Sequence, residues 1–242
     1  MLNTYLLRTR NLLQLPNVGS TLLYSDASLT TWINQARGQI AGEGECLRYH
    51  GAIATVAGQR QYDFTGLNFG VSATTGVAGA IHVRTILYDV GAGQQWVAPR
   101  AWEWFQFYAL SNVVPPSGPP AEWAQYGQGT TGNFSLDPIP DGVYTLSCGA
   151  VCYPIDLALD TTVEAIPYLW TDAVPYFAAY LALMSAQASA RIADAERMFN
   201  QYNTFMERAR TFSNPSVLRW QYSQASDPTQ AAKIGIQAGA QR

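Results

Sequence analysis

The chain has 242 residues, 48% of them hydrophobic and 13% charged, with a formal net charge of −3. This length and apolar content support a buried core and exclude a disordered chain. The slight acidity argues against a dedicated nucleic-acid binder, which carries a basic patch.

The first segment, LNTYLLRTRNLLQL (2–15), places Leu2, Leu6, Leu12 and Leu13 at helical spacing, and PNVGS (16–20) breaks it. A second helix follows in YSDASLTTWINQARGQIAGEGE (24–45), with Ser25, Asp26 or Ser28 as N-cap. Trp32, Ile33, Ala36 and Ile40 form its apolar stripe, and GEGE (42–45) ends it.

From about 47 to 155 the period shortens to that of strands. AIATV (52–56), RQYDF (60–64), AIHVRTILYDV (80–90), EWAQYG (122–127), NFSLDPIP (133–140) and YTLSCGAVCYP (144–154) are strand candidates. In QWVAPRAWEWFQFYAL (95–110), Trp102, Trp104 and Phe107 suggest a half-buried strand with a bulge. About seven short strands suggest a sandwich or barrel. SNVVPPSGPPAEWAQYGQG (111–129), with four prolines, has no room for a helix and reads as an inter-strand loop.

Helical spacing returns near Thr171, a candidate N-cap, with Asp172 in the first turn and Pro175 close enough to the start to be tolerated. Phe177, Leu181, Met184, Ala188, Ile192, Ala195, Phe199, Tyr202, Met206 and Ala209 recur at steps of three and four. The run predicts one helix of roughly 35–40 residues, about 50–60 Å long. SNP (213–215) stops it, and a polar, small-residue tail follows with isolated anchors Trp220, Tyr222, Ile234 and Ile236.

The predicted fold class is therefore α+β: a helical body carrying an inserted β-sandwich or barrel-like domain, then an extended C-terminal arm. The expected divisions are 1–46 (N-terminal helices), 47–160 (β domain), 161–212 (long helix) and 213–242 (arm).

Signals for chemistry are sparse. There are only two histidines, His50 and His82, of which His82 sits in the strand-like AIHVRTI, and no HExxH, CxxC, GxSxG or Walker A pattern occurs. Cys46, Cys148 and Cys152 are odd in number, and the last two lie too far apart along a strand to bridge. No enzyme, cofactor or metal site is expected. No apolar run reaches eighteen residues, and MLNTYLLRTR has no signal-peptide layout, so no membrane partner is expected. Trp96, Trp102, Trp104 and Trp123 have two readings: a stacking platform for a glycan or base, or β core and interface, the latter favoured because half of each strand faces inward. Thirteen of the fourteen basic residues are Arg, with Lys233 the single Lys. Arg enrichment and low charge favour surfaces buried in an assembly.

YSDASLTTWINQARGQIAGEGECLRYHG (24–51), WINQAR (32–37) within it, Arg48 after the second helix, and IPYLWTDAVPYFAAYLAL (166–183) resemble the head-to-tail adaptor (connector) proteins of tailed bacteriophages. The resemblance implies a ring, usually of twelve copies, beneath the portal. Such a ring extends the DNA channel, lets double-stranded DNA pass without sequence-specific binding, and docks a tail or nozzle protein. It also implies a C-terminal arm that reaches the portal or a neighbouring subunit, here with anchors Trp220, Tyr222, Ile234 and Ile236. The small side of the long helix, Ala178, Ala182, Ala186 and Ala190, would permit close approach of a neighbour and is the expected ring interface. The implied place is the neck of the virion, after assembly in the host cytoplasm. The large β insert departs from compact all-helical adaptors. The alternative is a tail or baseplate protein whose Trp-rich β domain contacts a glycan or another virion protein.

Overall fold

A computed structural model describes residues 1–14, 24–89, 93–109, 115–185 and 191–213. Helix α1 (Leu2–Leu12) buries Leu2, Tyr5 and Thr9. Helix α2 (Asp26–Gly44) starts at Ser25, whose side chain accepts a hydrogen bond from the Ser28 amide at 3.1 Å. Asp26 in its first turn suits the positive end of the helix dipole. Ile33, Ala36 and Ile40 are completely buried. The helix ends at Gly44, with Glu45 following in the left-handed region; the Trp170 indole packs on Gly44, where a Cβ would lie 2.5 Å from the ring.

Among the described residues seven strands follow, with a short helix α3 (Ser72–Thr75) before the third: β1 (Arg48–Ala54), β2 (Gln61–Asp63), β3 (Val77–Asp89), β4 (Gln94–Pro99), β5 (Glu122–Tyr126), β6 (Asn133–Asp137) and β7 (Thr145–Pro154). They form one sheet in the order β1-β7-β3-β4-β5-β6-β2. The sheet curls strongly, and Ala52 of β1 exchanges two backbone hydrogen bonds, each 2.9 Å, with Asn68 in the segment after β2. The strand count matches the sequence pattern, but the architecture is a single curled half-barrel rather than a two-sheet sandwich. The chain enters on β1 and leaves on β7, which pair antiparallel with Arg48 opposite Val151.

β4 and β5 run parallel, with Ala98 opposite Glu122. Parallel neighbours need a crossover of a dozen or more residues. That requirement explains the long proline-rich connection between them. The half-barrel places a short helix α4 (Trp102–Trp104) and a π turn (Phe105–Ala109) where the sequence suggested a bulged strand.

The last described elements are α5 (Tyr168–Thr171), α6 (Ala173–Ser185) and α7 (Ile192–Ser213). Thr171 closes α5 rather than capping a helix; its hydroxyl donates to the Tyr168 carbonyl at 2.8 Å. The single long helix is corrected to an antiparallel pair. Tyr176 stacks on Phe205, Phe177 packs on Tyr202 and Tyr180 on Phe199, with ring centroids 5.1, 4.8 and 5.1 Å apart. Rising numbers on α6 meet falling numbers on α7, which one straight helix cannot do. Helices and sheet share one continuous cluster of buried side chains, from Tyr5 and Ile33 to Phe134, Cys148 and Met206.

Cys148 and Cys152 both face this core from β7, and Cys46 is half-buried. Burial pushes all three thiols up to about 12 from an ordinary 9.0. Each folded thiol therefore stays protonated where the unfolded one ionises. This contribution to stability is intact below about pH 9 and is lost as pH rises toward 12. Two outcomes are expected: Cys148 and Cys152 resist a thiol reagent at pH 8 until denaturant is added, and the unfolding midpoint falls between pH 9 and 12. Rapid labelling of both in the native protein would contradict this burial.

Candidate assembly surfaces

A buried charge network fixes the helical layer to the sheet. Arg37 lies on the apolar stripe of α2 and its side chain is 0% exposed. It donates to Glu164 through Nε at 3.1 Å and Nη2 at 2.9 Å, and through Nη1 to the Ile155 carbonyl at 2.6 Å. Asn34 is one turn earlier on the same face. Its Oδ1 accepts from the Leu157 amide at 2.9 Å and from Arg37 Nη1 at 3.2 Å. Glu164 also accepts from the Ile166 amide at 2.8 Å. WINQAR thus carries two side chains that bind the connection between β7 and α5. Burial, reinforced by the neighbouring Glu164 carboxylate, pushes the Tyr5 phenol above its ordinary range. The sequence signal for this network is an arginine spaced with Ile33, Ala36 and Ile40.

A second ionic cluster sits at the C-terminal end of α2. Glu45 adopts a left-handed φ of 46°. Its carboxylate pairs with Arg84, lies 3.5 Å from His82 Nε2 and 3.9 Å from Arg48. Burial, then the Arg48 charge, holds the His82 pKa below its usual value. Arg48 is therefore paired at this junction. Nearby, Tyr202 of α7 donates to Glu43 at 2.7 Å, and Arg210 donates to the Glu43 carbonyl at 3.2 Å.

At the crossover, aromatic side chains form a tip. Trp102 packs on Tyr126 at 4.8 Å, Trp104 stacks on Tyr108 at 5.6 Å, and the Arg100 guanidinium lies over Trp104 at 5.1 Å. Phe107, Tyr108 and Tyr126 are exposed, as is Trp96 on β4. Trp123 is instead a core residue. Trp102 and Trp104 are half-buried against Phe105 and Ala124, so the core reading holds for Trp123 and in part for these two, while Trp96 faces outward.

On the helical side, a groove runs from the end of α7 across α6 to α1. One part is lined by Tyr168, Leu169, Phe205, Arg208 and Phe212. The adjoining part holds about 450 Å³ between Arg8, Leu12, Asp172, Tyr176 and Phe205. A half-exposed Arg8–Asp172 ion pair of 2.7 Å forms part of its lining.

The predicted ring-interface alanines divide. Ala178 and Ala182 are completely buried inside the subunit, packed against the helices around α6, so they are corrected to core positions. Ala186 and Ala190 lie outside the described residues, as do the arm anchors Trp220, Tyr222, Ile234 and Ile236. Among the described residues no cluster of three or more His, Cys, Asp or Glu side chains is placed to hold a metal, and no helix is long and apolar enough to cross a membrane.

No curated protein matches the chain. Among solved structures it is similar to a chain of the "Neck of empty GTA particle computed with C6 symmetry". The identity is 16%, the match covers 81% of this chain and 90% of the other, and the TM-score is 0.27. The family model for SU10 adaptor protein matches residues 5–221, which include both helical parts, the buried Arg37 network and the whole curled sheet. The chain belongs to the SU10 adaptor protein family.

Proposed function

We propose that this adaptor is a structural protein of the virion neck. Copies close into a ring, twelve by the resemblance, beneath the portal; the ring extends the DNA channel and docks a tail or nozzle protein. The observation that carries this reading is family membership over residues 5–221. A ring member meets two neighbours through two different patches, a heterologous contact that closes by rotation. The separate exposed surfaces of the helical side and the aromatic tip support such use. A formal net charge of −3 suits a channel through which DNA passes without sticking.

The portal contact is assigned to the C-terminal arm through Trp220, Tyr222, Ile234 and Ile236. Removal of residues 216–242 is expected to leave a folded subunit that no longer co-sediments with tailless, DNA-filled heads. Trp220→Ala should weaken binding more than Gln230→Ala, because aromatic anchors dominate such contacts. Full binding by the truncated chain would move the portal contact to the helical side. The aromatic tip favours a second reading, a tail or baseplate protein that contacts a glycan. Negative-stain images of the protein with its portal separate the two, since the first requires a ring.

A further inference from the structure

The helical groove leaves apolar side chains uncovered at the point where the described chain stops. Tyr168 is 80% exposed, Leu169 51% and Phe212 66%, and α7 ends at Ser213, one residue after Phe212. Phe205, Arg208, Ala209 and Phe212 project along one side of the last two turns of α7, so the groove mouth lies beside the chain exit. The following sequence is NPSVLRWQYSQ (214–224). Leu218, Trp220 and Tyr222 alternate with Arg219 and Gln221, so an extended backbone presents those three apolar side chains on one face.

We propose that, in the free subunit, residues 216–224 fold back over Pro215 and lay Leu218, Trp220 and Tyr222 into the groove of their own chain. Lengths agree. The step from Phe212 back to Phe205 along α7 is about 10 Å. The step from Leu218 to Tyr222 in extended chain is about 13 Å. Residues 214–217 provide the reversal, and Pro215 cannot continue the helix. The short tether sets a high effective concentration, of millimolar order, so even a weak contact is filled in cis before a second copy competes. The same aromatic anchors proposed for the portal are then kept covered until a better groove is offered. This contact concerns the isolated subunit and stands apart from the neck assignment.

The test uses a fluorescein-labelled synthetic peptide of residues 214–226 and full-length protein, read by fluorescence anisotropy. The double variant Trp220→Ala, Tyr222→Ala alters only side chains beyond the described core, and circular dichroism checks that it is folded. The peptide is expected to bind this variant at least tenfold more tightly than it binds the wild-type chain, whose groove is already filled. Adding Leu169→Asp should remove at least tenfold of that binding. Equal binding to wild type and variant, or binding to neither, overturns the proposal. Wild-type protection that disappears on dilution also overturns it, by making a second copy the occupant. Portal binding can fail while this result holds, so the two readings are tested separately.

Discussion

Replacing Arg37 by methionine is expected to destabilise the subunit by about 3–5 kcal/mol, because it leaves Glu164 buried without its cation. Glu164 has only 7% of its side chain exposed, so water cannot replace the lost partner. The variant also strips a donor from the Ile155 carbonyl, on the segment that joins sheet to helices, and from Asn34 of α2, which binds the same segment through the Leu157 amide. For a chain of this size the unfolding midpoint should drop by roughly 6–20 °C. The double variant Arg37→Met, Glu164→Leu should recover most of the loss, since removing both charges also removes the desolvation cost. A midpoint for Arg37→Met within a degree of wild type would mean that this network does not hold the two layers together.

Ala182→Trp should abolish folding of the subunit rather than block its assembly. Ala182 is completely buried in a cluster with Leu29, Ala179, Leu183, Ala195 and Met198. Even a few added methylenes in such a core cost about 1–3 kcal/mol, and an indole adds far more volume than that. Ala182→Gly, which adds nothing, should leave a folded subunit. The measurement is the yield of soluble protein and its helical circular dichroism signal. A stable, wild-type-like Ala182→Trp subunit that fails to form rings would return this alanine to a contact between copies.

Several features were legible in the residues alone because they are local. Ser25 caps α2, one of the three candidates that the residues offered there, and the bond spans only three residues. The change of period near 47 marks the start of the sheet, and the strands around 61–63, 122–126, 133–137 and 145–154 fall where alternation placed them. The placement of Cys148 and Cys152 on one face of β7 follows from the pleat. WINQAR was recognisable as a signature, but its pattern did not name the partner of Arg37. Glu164 is 127 residues away, and no periodicity links the two.

Periodicity and short motifs carry the α+β class, the placement of helices on both sides of a β region, and the family resemblance that the match over 5–221 bears out. The tertiary structure decided how those parts pair. An apolar stripe at steps of three and four is identical for one long helix and for two helices that turn and bury the stripe against each other, so the α6–α7 pair became visible only through contacts such as Phe177 with Tyr202. A small alanine face likewise states that something approaches closely, and only the packing assigned Ala178 and Ala182 to the subunit's own interior. Strand order, the parallel β4–β5 pair and the curl that joins Ala52 to Asn68 rest on hydrogen bonds between distant segments. Local propensity carries no term for such bonds; the choice is made when the shared core closes.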